Sequence, residues 1–138
     1  MSAPGDRKQR EEARGWFAKA DEDVAAARVL AAATPPLLTT AAYHCQQAAE
    51  KLMKGLLTVG AVPFRKTHNL GELAGQVSDA YPELVDRVAP LRWQTSWNFA
   101  FRYPGIDELT EPVPTGEEIA AVLDDIGVLR TELHARTA

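Results

Sequence analysis

The chain is nearly without cysteine. Its 138 residues include one, Cys45, so no internal disulfide staples the fold and the core has to come from apolar packing. Cys45 lies on the apolar side of a helical pattern and reads as a small buried residue. No activating pattern around it suggests a nucleophile. No apolar run approaches the ~20 residues of a membrane-spanning helix, and the opening MSAPGDRKQREEARG lacks the apolar centre of a secretion signal. A cytoplasmic protein is therefore expected. Strand signals are missing as well, because nothing alternates with period two between paired turns. There is no glycine-rich phosphate loop, no HExxH pair and no Cys/His cluster at zinc spacing, so neither metal nor cofactor is expected. Positive charge is not in excess either. A net charge of −4 excludes a broadly basic nucleic-acid binder but leaves room for a local basic groove.

What remains is 46% apolar and 25% charged residues, the balance of an ordinary soluble globular domain. The length fits one domain over residues 1–138, with 1–5 disordered. Helical periodicity dominates. A first helix is expected over about 6–33, with Trp16, Phe17, Ala20, Val24, Ala27 and Leu30 or Ala31 as its buried stripe, ended by Thr34-Pro35-Pro36. A second, over about 37–59, carries Leu38, Ala42, Cys45, Ala49, Leu52, Met53 and Leu56 on one face. Gln46, Gln47, Glu50, Lys51 and Lys54 fall on its other side, and Gly60 and Pro63 stop it. A short third helix over about 69–80 is capped by Thr67 or Asn69. A fourth, about 83–101, contains Pro90 and should kink or break near Ala89. Thr115 and Glu118 form a capping-box signature before a last helix over about 116–136. The expected fold is all-α, an up-and-down antiparallel bundle of four long helices plus one short helix.

Three blocks carry a family resemblance. Gln47-Ala48-Ala49-Glu50-Lys51-Leu52-Met53-Lys54, then Thr67-His68-Asn69-Leu70, then Phe101-Arg102-Tyr103-Pro104-Gly105 resemble, in order and spacing, the HEPN family (higher eukaryotes and prokaryotes nucleotide-binding). The resemblance covers roughly residues 15–135 and implies the same helical bundle. It also implies a small stand-alone HEPN protein working beside a minimal nucleotidyltransferase in a toxin–antitoxin-like pair.

The candidate ligand- or partner-binding residues are Gln47, Lys51, Lys54, His68, Arg102 and Tyr103. Gln47, Lys51 and Lys54 share one stripe of the second helix, where Glu50 and Lys54 also make an i,i+4 pair. His68, with Arg65 and Lys66, stands just before a helix start, a position that favours phosphate. If Lys51, Lys54, His68 and Arg102 converge, they form a positive patch for nucleotide, RNA or an acidic partner. Trp93, Trp97 and Phe101 form one aromatic ladder, with Phe99 and Tyr103 on another face. That is more aromatic surface than one stripe buries, and a homodimer is the simplest partner for it.

Many HEPN proteins are metal-independent ribonucleases whose signature is an Arg followed, after four to six residues, by a His. The imidazole moves a proton and the cation stabilises charge on phosphorus. After Arg102 those positions hold Asp107, Glu108 and Leu109, and Arg130 and His134 are only one helical turn apart. The motif is absent, so no catalytic residue is assigned. The expectation is a non-catalytic binding and interaction module. The alternative is a divergent ribonuclease using His68 or His44 with Arg102 or Lys54. The acidic runs Asp21-Glu22-Asp23 and Asp124-Asp125 read as solvated faces.

Overall fold

A computed structural model describes residues 4–92 and 114–138. The fold is all-α, and no strand occurs among the described residues. Three long helices set the frame: α1 (Arg7–Ala32), α2 (Leu38–Val59) and α5 (Gly116–Arg136). The shorter α3 (Leu70–Ala80) and the single turn α4 (Val85–Val88) lie between them in sequence. Each long boundary falls within about a residue of the periodicity, because local chemistry fixes the ends. Asp6 accepts from the Gln9 amide to start α1, Asn69 accepts from Glu72 to start α3, and Thr115 and Glu118 complete a reciprocal capping box at α5. Thr67 takes the supporting role: its hydroxyl accepts from the Asn69 amide at 3.0 Å.

The expected fourth helix begins as three short turns, with 3-10 segments Pro82–Leu84 and Ala89–Leu91 flanking α4. Its apolar positions Leu84, Val88 and Leu91 are buried. The rest of it lies outside the described residues, as does the aromatic run from Trp93 to Tyr103, including the candidate site residues Arg102 and Tyr103.

α1 and α2 run antiparallel. The Gly5 amide donates to the Val59 carbonyl at one end, and the Leu37 amide donates to the Leu30 carbonyl at the other. Their contact is made of small residues. Ala13, Ala20 and Ala27 recur every seventh position of α1, and Ala41, Ala48 and Ala49 answer from α2, all at 0–1% exposure. The other members of the predicted α1 stripe, Phe17, Val24, Leu30 and Ala31, pack at its margin and stay half-buried. α5 lies antiparallel to α1, as Arg130 pairs with Asp21 and Arg14 reaches the Thr137 carbonyl. It buries Ile119, Val122, Leu123, Ile126, Leu129 and Leu133 along one face. At Gly55 the three long helices meet. A Cβ there would stand 2.6 Å from Leu133 Cδ2 and 3.3 Å from Trp16 Cβ, so a larger residue would force the Leu133 side chain to move.

The end of α2 is less simple than its sequence. Gly60 has φ −85°, and the left-handed residue is Ala61, at φ +54°. The Ala61 amide donates to Thr58 and the Val62 amide to Leu57, the paired bonds of a Schellman cap. Glycine is needed at 60 for space, because a Cβ would stand 2.5 Å from the Tyr81 hydroxyl. That hydroxyl donates to the Leu56 carbonyl at 2.7 Å.

Candidate functional site

α2 is the central helix, and its polar side is not solvated as its periodicity suggested. Gln46, Glu50, Lys54 and Thr58 are all buried. α1 and the loop before α3 cover that side. Charge on a covered helix face has to be paired, and the pairing produces two clusters of the same design.

The first centres on Asp23 of α1, which is itself buried. One carboxylate oxygen lies 2.9 Å from His44 Nδ1, and the other accepts from Lys51 Nζ. An ionised carboxylate only accepts, so Nδ1 carries the proton and Nε2 faces away. The second centres on Glu50 of α2. Its Oε1 lies 2.8 Å from His68 Nδ1 and its Oε2 lies 3.1 Å from Lys54 Nζ. Here too the imidazole turns Nε2 outward. The surroundings differ: the His68 side chain is 55% exposed against 28% for His44, and Lys54 only 7% against 22% for Lys51. Lys54 Nζ also sits 5.5 Å from the Trp16 ring centroid, a cation–π contact, and Phe64 meets that indole edge-on at 6.4 Å.

The sequence candidates can now be placed. Lys54 and His68 share one carboxylate. Lys51 stands beside them on α2 but belongs to the Asp23 cluster, and Gln47 is half-buried one turn earlier. The i,i+4 pair of Glu50 and Lys54 forms as expected, although buried instead of solvated. Asp23 is a correction to the solvated reading of the acidic run. It falls in phase with Ala20 and Ala27, so it shares their buried stripe, and that phase was the available signal. Asp21 stays on the surface and pairs with Arg130 at 2.6 Å. Asp125 is also less solvated than read, and burial followed by the neighbouring Asp124 raises its pKa. Arg65 is spent on Glu72, at 2.6 and 2.9 Å. Cys45 is fully buried, and burial pushes its thiol up to about 12 against the opposing charge of Arg28. It is chemically quiet at neutral pH.

Among the described residues no group of His, Cys, Asp and Glu is arranged to hold a metal ion, and no helix is long and apolar enough to cross a membrane. The clusters offer oriented imidazoles, each backed by a carboxylate whose charge a lysine balances. The family model described as HEPN domain matches residues 13–132. No curated protein and no solved structure matches the chain.

Proposed function

The chain belongs to the HEPN family, and from that premise we propose that it is a non-catalytic binding module. It takes a nucleotide or RNA at the face carrying His68, and it works beside a minimal nucleotidyltransferase in a toxin–antitoxin-like pair. The observation that carries this reading is the double use of Glu50. The buried carboxylate holds His68 in one orientation at the surface and also engages Lys54. His68 can therefore present an Nε2 to a phosphate oxygen or base edge, while the lysine a nuclease would aim at phosphorus is tied down. Arg102 and Tyr103 would add a guanidinium and a ring. A homodimer belongs to the same proposal, on the aromatic content of residues 93–103.

Binding of labelled single-stranded RNA and of ATP, measured beside RNA integrity, tests it. Wild type should bind without cutting, and His68→Ala and Arg102→Ala should each bind several-fold more weakly. Light scattering should return about twice the 15.1 kDa chain mass. One observation favours a second reading, a divergent ribonuclease: a carboxylate behind Nδ1 and an outward Nε2 are also what a general base needs. RNA cleavage that disappears in His68→Ala would replace the first reading with the second.

A further inference from the structure

Beside the Glu50 cluster the surface opens into a trough. One recess of about 650 Å³ runs between the first turns of α1 and the loop after α2, with Gln9, Glu12, Trp16, Thr58 and Phe64 in its walls. A second, of about 290 Å³, continues over Gly15 to Lys19. Both include Trp16 and Glu12, so the half-buried indole stands between two adjoining hollows. Each hollow exceeds the volume of a nucleobase. Lys54 and the edge of Phe64 fix the ring. Among the described residues, the side chains of Gln9, Glu12 and Lys19 have no internal hydrogen bond or ion pair.

We propose that this trough holds unstacked bases of single-stranded RNA, with Trp16 and Phe64 as the stacking surfaces, Gln9 and Glu12 as hydrogen-bonding groups for base edges, and Lys19 on a phosphate. The inference rests on the RNA-binding reading above and names where the bases go. Its chemistry is that of a platform rather than a basic channel. An aromatic face accepts any base, and an amide with a carboxylate offers both donors and acceptors. One lysine opposed by one glutamate supplies little net charge. Stacking should therefore dominate, and the trough should contribute the loss of about one counterion, a salt slope near −0.7. The loop that carries Phe64 also carries His68, so one strand can reach both.

The test compares oligoadenylate with an abasic oligomer of equal length on the whole protein. Wild type should prefer the base-bearing strand by roughly tenfold or more. Phe64→Ala and Trp16→Ala should each remove most of that preference, and Trp16→Phe should keep most of it. Gly15→Leu guards against a folding artefact. A Cβ at Gly15 meets nothing within 4 Å, so the variant fills the smaller hollow from solvent without disturbing the core, and it too should weaken binding several-fold. Equal affinity for abasic and base-bearing strands overturns the trough, as do Gly15→Leu and Phe64→Ala variants that bind like wild type. A wild type that binds no RNA removes the functional reading along with it. Binding lost in His68→Ala but untouched in the trough variants removes the trough alone. A change of oligomeric mass in Gly15→Leu, with RNA binding intact, would make the trough a protein contact and overturn the proposal.

Discussion

The Asp23 and Glu50 clusters contain the same three side-chain types in the same order of contact, yet they are built for different ends. The Asp23 cluster ties α1 to α2, and its lysine keeps a path to water. The Glu50 cluster ties α2 to the loop before α3; its lysine is shut in beneath an indole and its histidine is turned outward. Composition alone does not separate a staple from a presented group. What separates them is which member of the triad the neighbouring elements leave uncovered. Ala20 and Ala27 bring α2 close over Asp23, whereas Trp16, backed by Phe64, covers Lys54 and leaves His68 at the rim.

Removing each carboxylate sharpens the contrast most. Glu50→Ala strands a buried ammonium and should cost about 3–5 kcal/mol in urea unfolding. Asp23→Ala leaves Lys51 able to reach solvent and should cost about 1–2 kcal/mol. Adding Lys54→Met to Glu50→Ala should restore most of the loss, since the charge that needed a partner is gone. Equal costs for the two carboxylates would erase the distinction.

A smaller effect, of opposite sign, is expected where α2 ends. Ala61 occupies a left-handed position that disfavours a Cβ. Ala61→Gly relieves about 1–2 kcal/mol of strain and gives back part of it as unfolded-chain entropy. A net gain of about 0.5–1 kcal/mol should appear as a raised melting temperature.

The smallest effect concerns Arg65 and Glu72, an ion pair in the open. The hydrogen bond from Arg65 lowers the Glu72 pKa below its usual 4.5. A folded-state value below the unfolded one means the contribution is present above about pH 4.5 and is lost as pH falls through the lower folded value. Glu72→Gln should therefore differ from wild type slightly at neutral pH and converge with it in acid. A difference that persists in acid would point to the caps of α3 instead.

The helices were legible because each reports its own period and its own caps. Leu52, Met53 and Leu56 could be placed inside from spacing alone, and Asn69 and Thr115 mark helix starts within a few residues of sequence. The clusters were not legible in the same way. Asp23 meets partners 21 and 28 positions away, and helical spacing says nothing about which helix will cover which face. Gly60 shows the finer limit. A glycine at a helix end suggested a turn, but the constraint comes from a tyrosine 21 residues later. Trp16 was read as core and is a wall of the trough, because the loop after α2 brings Phe64 to its edge.

That loop and α3 are fastened to α2 near both ends, and α3 is tied back to its own loop. His68 is bonded to Glu50 before α3 begins, Gln76 donates back to the Pro63 carbonyl, and Tyr81 donates to Leu56 just past the helix end. A segment held at both ends has no free end from which to fray. Hydrogen exchange should therefore find the α3 amides opening as one unit, together with loss of the His68 orientation.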